Sequence, residues 1–529
     1  MIKFVFFSIL VLYVVIGLVV TRFVKDSNDF YVMGEKGSTL LIVGTLCATA
    51  VSSVTLMGIA GQAYDEGPLV VPTFGSFGAW LGMLISIFYV ARKMKAMKIQ
   101  TVPEFFEKRF QSAPVSIIVT IIMIVGLLGY GIVDFIGAGI ILSEITGIDF
   151  SMMIIIFTVT IMIFTVLGGM FGVIVTDTVM LITMLAVSVV IIPIIIGIAG
   201  FEPIKNLSES FSNYWTLGGM EERPISFSIS QFLVWILFFS VMPAHISRLF
   251  PAKNDFVILK AGVYTALIYP LLQLPIFVGA AAMKVLEPNV VDSDKIMIIG
   301  FMEYLSSPTA GVAIAGIMAA IMSTASTVFI LIGFALSRDL LERYTFKNLT
   351  NKQSLLLGRI TQTGIAIIAC IIALLRPSAI YWISIYAAAF FAVGWFPSLF
   401  ASFIWKRTNS KASVASMVTG VSSFIILGEL IRNGFINVPY DIDELIIAFV
   451  LSVIVLIIVA LKTQPKKHEL LAMDSIRKLN TNQETIEQFT TQRNGLAKLK
   501  GQYRHVLITA IITTFISILI WGFFIIKLT

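Results

Sequence analysis

The 529-residue chain is 58% hydrophobic and 13% charged, about half the charged fraction of an ordinary soluble protein, which excludes a soluble enzyme and points to a polytopic membrane protein. A net charge of +7 would suit an acidic partner such as nucleic acid, but the placement of the basic residues in alternate loops accounts for it. Two cysteines and three histidines support neither a disulfide framework nor a thiolate or imidazole metal centre, and Cys47 and Cys370 both fall within apolar stretches.

Fourteen apolar segments are long enough to cross a bilayer, at roughly 3–22, 38–64, 68–91, 113–143, 149–168, 170–200, 226–246, 256–283, 309–335, 356–375, 378–405, 412–431, 443–461 and 505–526. The first is followed by charge between Arg22 and Lys25 where a signal peptidase would need small residues, so it is kept as a helix. The second differs from a lipid-facing span. Its middle, CATAVSSVTLMGIAGQAYDEG, replaces bulky aliphatics with hydroxyls and small residues, and such a stretch can unwind where it lines a cavity or lies within protein. A small-residue helix interface is the plainer alternative.

The basic loop RKMKAMKIQTVPEFFEKRF contains a helix start, with Thr101 as N-cap, Pro103 in the first turn and Glu104 at the third position, which predicts a short interfacial helix. The next span carries Asp134 among apolar neighbours. A carboxylate inside a membrane is costly and is a candidate functional group unless it is paired or protonated for structure. The fifth span ends in FTVLGGMFGV, whose glycines allow a tight turn, and the sixth opens with VTDTVML, which puts Asp177 near the same end of the membrane. The external loop Phe201 to Pro224 holds Trp215 as an interfacial aromatic. In the seventh span Gln231, Trp235 and Phe239 share one face ahead of the helix-interrupting Pro243.

The ninth span holds AAIMSTAST, Ala319 to Thr327, within an uncharged stretch from Gly311 to Ala335. Ala320, Ser323, Thr324 and Thr327 fall on one helical face with Ser326 beside them. Each hydroxyl can bond back to a carbonyl one turn earlier, but several oxygens together are what a desolvated hard cation requires. The eleventh span, with Tyr381, Trp382, Tyr386, Phe390 and Phe391, reads equally as lipid-facing or as pocket. From Lys462 to Arg504 the chain turns polar and basic, a connector that is partly helical and meets anionic lipid at most.

With odd-numbered loops cytoplasmic, 29 of the 37 Lys and Arg residues lie in or at the edges of loops on that side, which places both termini outside. No P-loop and no nucleophile–base pair occurs, so an ATP-driven pump and an intramembrane enzyme are both disfavoured.

Five pieces occur in a fixed order: DFYVMGEKGS, TVPEFFEKRF, FTVLGGMFGV with VTDT, PAHISRLFPAK, and AAIMSTAST with LSRDLLERY. Together, from about Asp29 to Lys411, they resemble the sodium/solute symporter family, which includes carriers of proline, pantothenate, sialic acid and glucose. The resemblance implies an all-α membrane fold of two inverted five-helix repeats with a leucine-transporter-like core. Here they would be 38–200 and 226–405, after an N-terminal helix and link at 1–37, around an external loop at 201–225, and before three C-terminal helices at 406–529 with a connector at 462–504.

It also implies a first sodium site made by the carbonyls of Ala48, Val51 and Ala320 with the hydroxyls of Ser323 and Thr324. A second site would use Asp177, Ser323, Ser326 and Thr327. The solute pocket would be drawn from Ser52, Thr55, Gln62, Asp134, Gln231, Trp235, Phe239 and Tyr386. Ala50 stands where proline carriers have an acidic residue, and Asp134 stands where a sialic-acid carrier would have an arginine, so Asp134 would meet an ammonium or a hydroxyl-bearing solute. The reading is a sodium-coupled importer of a small organic solute, with membrane lipid and no organic cofactor. Proton coupling on the same fold and a transporter-like sensor are the alternatives.

Overall fold

The computed structural model describes residues 1–24, 27–346, 348–375, 380–438, 442–478 and 495–528. These residues are helical almost throughout, and the one β-bridge among them joins Gly37 to Ala252. Among the described residues twelve helices are long and apolar enough to cross a membrane, and a thirteenth span is a bent pair. The fifth stretch holds the apolar helix Phe150–Ile163, and helix continues from it to the turn at Gly169.

In chain order, α1 (Ile2–Val20) precedes the bent pair α2 (Thr39–Ala50) and α3 (Val54–Asp65). Their axes diverge by 48°. The break lies where small residues and hydroxyls were read as able to unwind: Val51 is extended, and Ser52 Oγ accepts from Val54 N at 3.2 Å to start the second half. Next come α4 (Phe74–Ala96) and the interfacial helix α5 (Val102–Phe110), capped as expected by Thr101, whose hydroxyl accepts from Glu104 N at 3.3 Å.

Helix α6 (Ala113–Thr146) leads to α7 (Phe150–Ile163) and α8 (Gly168–Ala199). The turn between the last two needs glycine: Gly169 has φ +53°, and a Cβ there would lie 2.4 Å from the Phe30 ring. The seventh span divides at Met242 into α9 (Ile225–Val241) and α10 (Pro243–Ser247), since Pro243 cannot donate a helical hydrogen bond.

Helix α11 (Asp255–Leu286) is followed by α12 (Ser307–Phe334). Every residue of α12 from Ala313 to Phe334 is buried, so this apolar helix has no lipid face and forms the centre of the bundle. It packs on α8, α6 and α1, and also touches α2. Around it stand α13 (Asn351–Leu374) and α14 (Ile380–Ile404), with α15 (Ser410–Arg432) and α16 (Glu444–Lys462) packed as a pair outside.

The polar connector is more than a surface tether over its described part. Helix α17 (Lys467–Lys478) docks on α5, burying Glu469, Met473 and Ile476. Arg109, fully buried beneath it, donates to the carbonyls of Glu469 at 2.8 Å and Thr408 at 3.1 Å. Burial pulls this guanidinium down to about 10, still charged at neutral pH. The last helix, α18 (Gly495–Leu528), lies on α11.

Candidate functional site

The broken span and α12 face one another, and their oxygens supply the candidate ion site. Among the described residues, no main-chain N–H across the break donates to the carbonyls of Ala48 or Val51, because the extended Val51 ends the helical ladder. On α12, Thr324 Oγ1 donates to Ala320 O at 3.2 Å, and Ser326 and Thr327 both donate to Ser323 O, at 3.0 and 2.8 Å. Three of the four hydroxyls thus bond back along their own helix. Ser323 Oγ does not. It is fully buried, and its polar neighbour is the Asp177 carboxylate. A small cation facing carbonyl, hydroxyl and carboxylate oxygens fits this donor set.

Asp177 is also fully buried, and its partners include two residues that the sequence analysis did not place at the site. Thr45 of α2 donates to Asp177 Oδ2 at 2.6 Å, and the Arg248 guanidinium, just beyond α10, lies 3.0 Å from the same oxygen. Both charges of that ion pair are wholly buried. Ser326 and Thr327 bond back to their own helix instead of to Asp177, beside which Ser323 lies. Arg248 was legible only as part of PAHISRLFPAK. Thr45 carried no signal beyond lying one or two turns before the break.

The central cavity lies at the break. It is lined by Ser52, Thr55, Trp235 and Phe239, all anticipated, and by Tyr130, Tyr269, Ser76 and Met242, which were not. Its waist is tight: about 20 Å³ is open to the centre of a water-sized sphere, roughly room for one water. Trp235 is admitted by Gly75 of α4, where a Cβ would lie 2.9 Å from the indole, and Gly78 and Gly82 bring α4 against the backbone of α9.

Four expected lining residues stand elsewhere. Asp134 lies behind the break, where Ser53 Oγ donates to its Oδ1 at 2.7 Å and Oδ2 has no partner. Gln231 accepts from Tyr381 at 2.8 Å, away from the cavity wall. Tyr386 packs against Phe390 and Phe424. Gln62 is buried farther along α3, with its Oε1 unpartnered. Gln231 shares its helical face with Trp235 and Phe239, and tertiary packing determines which points on that face meet the cavity.

Contacts bridge the helices at both ends of the bundle. At the end that carries the loop 201–224, Tyr214 donates to Ala63 O at 2.9 Å and Arg223 pairs with Glu66 at 3.2 Å. On the opposite side Thr101 donates to Asp339 at 3.0 Å, Arg343 pairs with Glu107 at 3.4 Å, and Lys95 pairs with Glu35 at 2.7 Å.

Residues 30–420 match the sodium:solute symporter family. The chain belongs to that family. Its members among curated relatives include the osmoregulated proline transporter of Bacillus subtilis, 26% identical over 85% of this chain and 92% of the relative. The sodium/pantothenate symporter of Haemophilus influenzae is 24% identical over 79% of this chain and 88% of its own length. Among solved structures, a Na+-coupled sialic acid symporter in a substrate-bound outward-open state superposes with a TM-score of 0.74 at 20% identity, covering 88% of this chain and 99% of that one. The nucleobase-cation-symport-1 family transporter Mhp1, closed on a bound hydantoin, gives a TM-score of 0.55 at 15% identity, over 85% and 99% of the two chains. The family member described here is thus a multi-pass transport protein rather than an enzyme, and its fold is that of these transporters.

Proposed function

We propose that the protein is a sodium-coupled symporter that imports a small organic solute by alternating access. The single observation that carries this reading is the Ser323 hydroxyl on a fully buried helix, beside the Asp177 carboxylate instead of bonded back to its own helix, set against a helix break whose carbonyls are free of the helical ladder. Sodium is held by the carbonyls of Ala48, Val51 and Ala320 and the hydroxyls of Ser323 and Thr324, and the solute sits against Ser52, Thr55, Trp235 and Phe239. The inverted repeats span 38–200 and 226–405, and both termini lie outside. Relatives named for proline and pantothenate and a neighbour named for sialic acid support a small organic solute without choosing one.

Energy for uphill import comes from the ion. One positive charge moving inward through 100 mV releases about 2.3 kcal/mol before any concentration gradient is added. It drives the solute if both ligands stabilise one closed state. A second ion at Asp177, Ser323, Ser326 and Thr327 would have to share the carboxylate with Arg248.

Proton coupling is the second reading, favoured by Asp134, a fully buried carboxylate with one oxygen unpartnered. Thermal unfolding of the purified protein with a metabolite panel, with and without sodium and across pH, separates the two. A solute that stabilises wild type only in sodium, and fails to stabilise the Ser323→Ala/Thr324→Ala variant, is the expected result. Stabilisation that ignores sodium in both proteins and follows pH instead moves the coupling to the aspartates.

A further inference from the structure

A second, separate feature lies toward the end of the bundle that carries the Lys- and Arg-rich loops. Ile85, Phe88 and Tyr89 make a half-buried stripe on α4, facing Phe400 and Ile404 of α14 and Thr514 of α18 across a groove of about 540 Å³. The stripe residues recur at the spacing of one helical face, and Thr514 supplies the one hydroxyl in an otherwise apolar lining that also includes a phenol. An acyl chain suits such a wall. That alone would hold for much of a membrane protein's surface, and the mouth of the groove is what distinguishes it.

Lys93, one turn beyond Tyr89, holds its Nζ 4.5 Å from the centre of the Tyr89 ring and 5.4 Å from that of Phe403, within 3.4 Å of the Tyr89 hydroxyl. Arg477, reaching over from the docked connector helix α17, donates to the carbonyl of Ile404, itself a groove residue. Among the described residues neither cation forms an ion pair, whereas their exposed neighbour Lys406 pairs with Asp474 at 3.4 Å. Two charges are therefore fixed at the rim of an apolar slot by rings and a carbonyl, with no ion pair of their own among the described residues.

We propose that this groove binds one anionic phospholipid of the leaflet on that side, an acyl chain between α4, α14 and α18 and the headgroup phosphate on Lys93 and Arg477. A phosphodiester offers oxygens to both cations, and Arg477 can engage it in a fork. A zwitterionic lipid brings its own ammonium to the same rim and gains less. The headgroup seat is complete only while α17 is docked, so the lipid also fastens the connector to the transport bundle. Neither the solute pocket nor the ion site takes part, and lipid retention is read without sodium or solute.

The test uses the full chain purified in a neutral detergent, with native mass spectrometry against dioleoylphosphatidylglycerol and dioleoylphosphatidylcholine at matched concentration. One tightly retained phosphatidylglycerol is expected, with phosphatidylcholine held about tenfold or more weakly. The Lys93→Gln/Arg477→Gln variant should lose that preference while keeping phosphatidylcholine retention, and Ile85→Trp, which fills the groove, should lower retention of both. A preference unchanged in the double variant overturns the headgroup assignment, and thermal stabilisation by inorganic phosphate equal to that by the lipid overturns the groove. Should a variant not fold, the wild-type ratio decides alone, and a ratio near one overturns the proposal.

Discussion

Asp134 and Asp177 are both wholly buried carboxylates within the bundle, yet their surroundings differ in kind. Asp177 has a guanidinium at 3.0 Å and a hydroxyl at 2.6 Å on the same oxygen. Asp134 has one hydroxyl at 2.7 Å and, among the described residues, no cation. Removing one member of a buried ion pair strands the other charge, whereas removing the charge of a hydrogen-bonded acid strands nothing. Burial and residue type are therefore insufficient to assign a role to a membrane carboxylate. What decides is whether another element delivers a counter-charge.

The largest effect should come from breaking the pair. Arg248→Ala leaves Asp177 uncompensated and should cost about 3–5 kcal/mol in thermal or denaturant unfolding, and adding Asp177→Asn to it should recover more than half of that. No recovery in the double variant would show that Arg248 acts through packing alone. Next, Thr45→Val removes a hydrogen bond to a charged group at nearly constant volume, and a loss of about 1.5–3 kcal/mol is expected from the same measurement.

Smaller in energy but sharper in meaning is Ser323→Ala. Its hydroxyl bonds no carbonyl of its own helix and lies beside Asp177, so unfolding without sodium should change by only about 1 kcal/mol, while the sodium concentration for half-maximal stabilisation should rise about tenfold, equivalent to about 1.4 kcal/mol. Equal losses with and without sodium would remove Ser323 from the ion site. The smallest effect belongs to Asp134→Asn. It keeps the acceptor for Ser53 and lies off the cavity wall, so solute affinity in a binding titration should stay within about threefold. A larger drop would return Asp134 to the solute.

How much was legible varies by element. The second span was read as able to unwind, because hydroxyls and small residues at 47–61 do not suit a lipid-facing helix, and the 48° bend there decides against the alternative of an unbroken small-residue interface. The helix start at Thr101 was equally local, since a cap, a proline and a glutamate fix one another within a single turn. The hydroxyl face of α12 was visible by periodicity, but the sequence did not show that Ser323 alone would turn to Asp177 instead of bonding back along its own helix, which depends on which carbonyl each rotamer reaches.

By itself the sequence determined that this chain lives in a membrane, where most of its helices run, where one of them can unwind, and which helix carries the oxygen-rich face. Each of these depends on composition or on spacing within a few turns, and hydrophobicity and helical periodicity act at that range. Only the tertiary structure decided that Arg248 neutralises Asp177, that Thr45 reaches across 132 positions to the same carboxylate, and that Asp134 fastens Ser53 behind the cavity instead of lining it. Those outcomes follow from how distant helices pack. A face is set by the residues of one helix, but its partner is set by all the others competing for it.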